Sequence, residues 1–267
     1  MKKIDYYEIT NQKLKYLKYS ENTIRVYLYY ISEFLFETKN VCPTRLTSND
    51  FQNYLNSYNF SSISQQNQVI NSIKFLYEKI LDKKYNKIDF SRPRNQKRLP
   101  RVIDCDFLKQ KISKINNLKH KTIISIAFST GMRVSEVINL RISDIDSKRM
   151  VINIKNGKGG KDRTVPLSPN ILILLRKYWM EYKPKEYLFN GQSSLKYSTT
   201  SCNKIVKKYI GNDYHFHLLR HSCFTFLLES GIDIRIIQKI AGHISIKTTE
   251  IYTHVSNRVF KTIQLPI

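Results

Sequence analysis

Several short stretches of this chain carry residue types suited to attack on a phosphodiester. In His217-Leu218-Leu219-Arg220-His221, His217 and Arg220 stand three residues apart and so share a helical face. His243, in Ala241-Gly242-His243, follows Arg220 by 23 residues, and Tyr252 follows His243 by nine. Arginine and histidine side chains can hold phosphate oxygens, and a phenol placed among them is a potential nucleophile. Two upstream pieces would complete such a site. One is Thr130-Gly131-Met132-Arg133-Val134-Ser135-Glu136, in which Glu136 is placed to brace the Arg133 guanidinium. The other is the turn 156–163, where Lys158 and Lys161 compete for one role that spacing alone does not assign. Each residue also has a plainer reading. Arg133 by itself would be a surface arginine, and most of the 18 tyrosines must be packing or surface residues. Tyr252 is distinguished by its place after His243.

Two other chemistries fit the same residues less well. The Gly/Lys-rich turn is not a phosphate-binding P-loop, because Asp162 follows Lys161 where Ser or Thr is needed, and a strand rather than a helix comes next. His217 and His221 are four apart on a helix with His215 near, yet no Glu stands between them and no acidic or cysteine third ligand is adjacent. The expectation is no metal and no nucleotide cofactor.

The elements that must position these residues are mostly helical. Apolar residues recur at helical spacing over Thr23–Glu37, Phe51–Tyr58 after the cap region Thr47–Asp50, and Ser61–Leu81. Helices are expected again at Phe107–Ile115, at Lys119–Ser129 ending near Gly131, and from Arg133 through Leu140. Met150–Ile154 and Arg163–Leu167 read as two strands of a hairpin around the Gly/Lys-rich turn. Helices follow from Ser168-Pro169 to Trp179, over Ser198–Ile210, over Phe216–Leu228 with Gly231 as a stop, and over Asp233–Ile240. His243 then sits just past a helix C-terminus. Between the two halves, Ser91–Arg101 holds two prolines and five basic residues (Arg92, Arg94, Lys97, Arg98, Arg101) with no acid. Such a segment is an extended linker able to lie along phosphates.

Composition points to a polyanionic partner. The formal net charge is +24 over 267 residues, an excess that opposes compaction unless a polyanion is the usual partner, nucleic acid being the first candidate and a plain soluble basic protein or a membrane-surface binder the alternative. Residues 1–95 hold 15 Lys/Arg against 9 Asp/Glu, and residues 96–267 hold 30 against 12, so the excess concentrates where the motifs lie. No run of roughly 18 apolar residues indicates a membrane span. The start, Met1-Lys2-Lys3-Ile4-Asp5-Tyr6, has no apolar stretch of the secretory kind, so a cytoplasmic, nucleoid-associated protein is expected. Four cysteines without regular spacing read as reduced thiols.

In content and order the motifs resemble those of the tyrosine recombinases, the phage-integrase family with its Xer-type members. The family's order is Arg, Lys in a β-turn, His-x-x-Arg, His or Trp, then Tyr. Here it falls on Arg133, Lys158, His217, Arg220, His243 and Tyr252. The resemblance implies a mainly α chain with a small β-hairpin or sheet in two domains. A helical core-binding domain would span 1–90, a basic linker 91–101 and a mixed, mainly-α catalytic domain 102–267. It selects Lys158 over Lys161, and leaves Lys161 and Arg163 as backbone contacts to DNA. It also places the helix bearing Lys204, Lys207 and Lys208 near the major groove, where base reading occurs; the plain alternative is a solvated lysine face.

The implied mechanism has Arg133, Arg220 and His243 holding the scissile phosphate while Tyr252 attacks to form a 3′-phosphotyrosyl enzyme. Lys158 would protonate the departing 5′-oxygen, His217 would assist proton transfer at Tyr252, and neither ATP nor metal would be needed. The family further implies double-stranded DNA as partner and a homo-oligomer, four protomers exchanging strands through a Holliday junction. A second recombinase or accessory protein is left open, and the apolar tail Phe260–Ile267 docks on a neighbour or, alternatively, packs on its own domain. Two alternatives share much of the logic: supercoil relaxation of the type IB topoisomerase kind, and a DNA-binding relative without catalysis.

Overall fold

A computed structural model describes residues 5–83, 101–155, 162–192, 194–243 and 245–253. The chain divides into two compact units, Met1–Lys97 and Arg98–Ile267.

Each described α-helix of the first unit starts at a polar residue whose side chain accepts a hydrogen bond from backbone N–H of the first turn. These caps are Asp5 for α1 (Tyr6–Tyr16), Ser20 for α2 (Glu21–Glu37), Thr47 for α3 (Ser48–Ser57) and Ser62 for α4 (Ile63–Phe75). At Thr47 the bond is reciprocated, since Asp50 accepts from the Thr47 backbone N–H at 2.6 Å. The helices close around Ile31, Phe34, Phe51, Tyr54, Val69 and Ile73. Phe34 lies at the centre of this core, its ring 5.1 Å from Tyr54 and 6.0 Å from Phe51. The single helix read over Ser61–Leu81 is instead interrupted at Phe75 by a π turn, Leu76–Ile80. Within that turn the consecutive residues Leu76 and Tyr77 are both buried, and the Tyr77 hydroxyl donates to the Thr47 carbonyl at 2.9 Å.

The second unit is built around two buried helices. After α5 (Cys105–Ser113), the helix α6 (Leu118–Thr130) is apolar on nearly all sides, and Thr122 through Ala127 are buried. It ends at Gly131, whose φ of +63° gives the left-handed cap that a side chain disfavours. The short α7 (Val134–Asn139) follows, then β1 (Ile145–Asp146), β2 (Val151–Ile154) and β3 (Arg163–Pro166) in an antiparallel sheet of order β1-β2-β3. The β2–β3 hairpin agrees with the sequence reading; its register pairs Ile152 with Val165, both buried, and Ile154 with Arg163. β1 was not expected, since two residues carry no alternation to read.

Helices α8 (Pro169–Tyr182), α9 (Thr199–Tyr209), α10 (Phe216–Glu229) and α11 (Ile234–Ala241) follow. The last two turns among the described residues are 3-10, Ile246–Thr248 and Glu250–Tyr252. α10 is the second buried helix, packed against α6 and α11. The mainly helical fold with a small sheet is thus as expected. Among the described residues no helix is long and apolar enough to cross a membrane. Cys42, Cys105, Cys202 and Cys223 are all free thiols, the last two buried.

Gly131 is required twice over. Besides its positive φ, a Cβ there would lie 2.5 Å from Cζ of the buried Phe224 ring. Gly131→Ala is therefore expected to destabilise the protein by about 1–3 kcal/mol through overpacking and left-handed strain, read as a lower urea midpoint in equilibrium unfolding. An unchanged midpoint would contradict this packing.

Candidate active site

The site is assembled at the ends of α6, α10 and α11 and at the start of α7. Arg133 caps α7 with extended backbone, and the Glu136 carboxylate turns back to accept from its backbone N–H at 2.7 Å. The same carboxylate accepts from Arg133 Nη1 at 2.9 Å. It also receives both terminal nitrogens of Arg163, Nη1 on Oε1 and Nη2 on Oε2, each at 2.7 Å. Burial alone would raise the Glu136 pKa, but the hydrogen bonds and charges of Arg163 and Arg133 hold it at about 2. Glu136 is consequently ionised throughout the physiological range. Arg133 keeps one edge against Glu136 and has its remaining guanidinium donors for an incoming anion.

Arg220, only 2% exposed, ties two of the site's segments together. Its Nη1 donates to the Gly131 carbonyl at 2.6 Å and its Nη2 to the Ala241 carbonyl at 2.7 Å. Nη2 also lies 3.0 Å from His243 Nε2, while the guanidinium carbon stands 4.7 Å from the centre of the Phe224 ring. A guanidinium has no acceptor, so Nε2 of His243 accepts and the ring proton sits on Nδ1. That proton faces Thr249 Oγ1 at 2.9 Å. Burial, with the positive charges of Arg220 and Arg133, lowers the His243 pKa to about 4. Burial and Arg133 likewise lower Arg220 to about 10. The pocket is therefore over-supplied with positive charge and has one buried carboxylate to balance it.

Tyr252, in the last 3-10 turn, is 1% exposed and packs its ring 5.6 Å from that of Phe224. Burial pushes its hydroxyl up to about 12 despite the nearby Arg220 charge, so it carries its proton. The hydroxyl's partner is Nδ1 of His221 at 3.2 Å. Burial, with His217 and Arg220, lowers the His221 pKa to about 4, which makes the ring neutral and able to accept. On α10, His221 and not His217 reaches the tyrosine, and His217 lies one turn earlier with its ring edge-on to His221, centroids 4.6 Å apart. The signal for His221 is its place beside Arg220, four residues after His217 on the same helix.

Arg163, read from sequence as a DNA contact, is turned inward. Rather than facing DNA, its side chain is 8% exposed and satisfied inside the protein, with Nε donating to the Ile240 carbonyl at 2.8 Å in addition to the Glu136 fork. Lys204, Lys207 and Lys208 do lie exposed on α9, whose other face buries Cys202, Ile205 and Val206. Asn203 on the same helix accepts from the Phe216 backbone N–H at 2.9 Å and so fixes α9 against the start of α10. Arg101 is exposed. Lys158, Lys161, Arg92, Arg94, Lys97, Arg98 and the tail Phe260–Ile267 lie outside the described residues.

Comparison with known proteins gives the family. The phage integrase family matches residues 104–258, and the N-terminal SAM-like domain of phage integrases matches residues 7–87. Tyrosine recombinase XerA of Pyrococcus horikoshii is 36% identical over 247 residues, covering 90% of this chain and 85% of that protein. XerA of Pyrococcus furiosus is 34% identical over 253 residues, covering 91% and 86%. The crystal structure of XerA recombinase superposes with a TM-score of 0.57 at 29% identity, over 96% of this chain and 95% of that one. In fold alone, XerH recombinase bound to its difH substrate is similar, with a TM-score of 0.69 at 23% identity over 90% and 77%. The chain belongs to the phage integrase family, the tyrosine recombinases.

Proposed function

We propose that this recombinase cleaves and rejoins DNA strands at a specific site with Tyr252 as nucleophile. The observation that carries the reading is the double tether made by Arg220, which binds the carbonyl two residues before Arg133 and the carbonyl two residues before His243. Both anion-binding segments are thereby held on the helix that also presents His221 to the tyrosine. A phosphodiester entering here meets Arg133, Arg220 and His243, and its developing charge in the pentavalent transition state is stabilised by groups already in place. The phosphate's negative charge also offsets the positive charges of the arginines that, after burial, depress His243.

Chemistry then needs two proton transfers. As Tyr252 Oη bonds to phosphorus, its proton passes to neutral His221, next to which His217 lies; the O5′–P bond breaks and Lys158 supplies the proton to the 5′-oxygen. The bond energy is retained in the 3′-phosphotyrosyl link, so rejoining requires neither ATP nor metal. Exposed Lys204, Lys207 and Lys208 on α9 suit DNA contact, and Lys161 and the linker residues Arg92, Arg94, Lys97, Arg98 and Arg101 are further phosphate contacts in this reading. The helical unit before the linker is the core-binding domain that helps clamp the duplex. Assembly is as a tetramer on two duplexes, in the cytoplasm at the nucleoid, with a partner recombinase or accessory protein as a further element.

The test uses nicked duplexes from either side of the protein's own gene, so that a cleaved strand cannot be resealed. In EDTA the protein should give a detergent-resistant, protease-sensitive adduct, and the attached tryptic peptide should contain Tyr252. Attachment through a different peptide, or an adduct formed only on addition of a divalent metal, would overturn the assignment.

A further inference from the structure

We infer that Arg163 is a positioning residue of this active site, setting the geometry between Arg133 and His243 and not touching DNA; the inference rests on the catalytic reading above. Arg163 opens β3, five residues after Lys158, in the most basic turn of the chain. From sequence it is one more cation for the phosphate backbone. In the fold each of its three nitrogens has a protein partner. Nη1 and Nη2 hold the two oxygens of Glu136 in a parallel fork, and Nε donates to the Ile240 carbonyl.

These contacts lie in one continuous line. The Ile240 carbonyl belongs to the last turn of α11, where helix carbonyls have no partner of their own. Arg163 takes that carbonyl, and Arg220 takes the next, at Ala241. From Arg163 the line continues through Glu136 to both the backbone and the guanidinium of Arg133. From Arg220 it continues to Gly131. Two arginines therefore bridge the same pair of segments, one through a carboxylate and one directly, and fix the separation of Arg133 from His243.

Gly242 is the complementary feature. It has φ of +62°, and a Cβ there would lie 2.8 Å from Cδ of Arg163, so the stem of Arg163 occupies the space a side chain would fill. Lysine cannot replace this residue, since one ammonium cannot hold two carboxylate oxygens and a carbonyl in a single plane. A phosphate contact, in contrast, would tolerate lysine.

That difference sets the experiment. Arg163→Ala and Arg163→Lys are compared with wild type for duplex affinity as a function of salt and for single-turnover cleavage at saturating protein, on the nicked duplex described above. Both variants are expected to bind within about threefold of wild type with an unchanged slope of log affinity against log salt, and both to cleave about 100-fold more slowly. Glu136→Gln should lower cleavage similarly, and the Arg163→Lys/Glu136→Gln pair should cost less than the two losses multiplied. Should Arg163→Ala not fold, Arg163→Lys alone carries the comparison. A salt slope reduced by about one with cleavage at saturation unchanged, or full rescue by lysine, would make Arg163 a phosphate contact and overturn the inference. Wild-type protein that forms no adduct at all would remove the catalytic reading, and the inference with it.

Discussion

Tyr252→Phe is expected to bind duplex DNA as wild type does and to form no covalent adduct, a loss of at least about 10⁴-fold, the scale on which removal of a nucleophile acts. The variant is informative because the ring is structural and the hydroxyl is chemical. Phenylalanine keeps the packing against Phe224 and the buried place at the end of the last 3-10 turn. What it removes is the bond to His221 Nδ1, a loss of about 1 kcal/mol at a partly exposed histidine. Folding should therefore survive, and a melting temperature within a few degrees of wild type checks this. A second histidine–tyrosine cluster serves as a control. His120 has Tyr209 at 3.1 Å on Nδ1 and Tyr197 at 3.3 Å on Nε2. No arginine contacts that cluster among the described residues, so Tyr197→Phe and Tyr209→Phe should leave cleavage unchanged. An adduct from Tyr252→Phe at a rate within tenfold of wild type would move the nucleophile elsewhere.

The sequence brought out several residues that the fold gathers here and left their wiring hidden, for a physical reason. Arg133, His217, Arg220, His243 and Tyr252 stand at spacings that chemistry must respect, and helix ends at Gly131 and Gly242 announce where the chain turns. Element boundaries in the second unit followed from caps and periodicity. Which histidine reaches Tyr252 depended on the path of the final turns relative to α10, a tertiary matter that spacing does not contain. The inward turn of Arg163 was hidden likewise. A basic residue in a basic turn looks like a phosphate contact until the position of Glu136, 27 residues earlier, is known. The break in α4 and the two-residue β1 were invisible because neither alters the apolar pattern enough to register.

Arg220 gives the second large effect, and the expected result separates catalysis from folding. Its guanidinium is buried, and burial together with Arg133 lowers its pKa from 12.5 to about 10, which corresponds to roughly 3 kcal/mol against the charged form. Two carbonyl bonds and the face of Phe224 offset part of that, but no carboxylate contacts it among the described residues. Such a residue is poorly matched to an empty site and well matched to one holding an anion. Arg220→Met, of similar length and uncharged, removes the buried cation and at the same time leaves the Gly131 and Ala241 carbonyls without their donor, about 1–3 kcal/mol each. The opposing terms should keep the net change in stability to a few kcal/mol, with the variant still folded at 25 °C. Cleavage should fall by at least about 10³-fold, since donors aimed at the transition-state charge are lost and His243 loses the partner that fixes its ring. Added duplex should raise the melting temperature of wild type more than that of Arg220→Met, because only the wild-type cation gains a counter-charge on binding. Cleavage by Arg220→Met within tenfold of wild type would show that the phosphate is held elsewhere, and equal stabilisation of the two proteins by DNA would show that the buried charge does not face it.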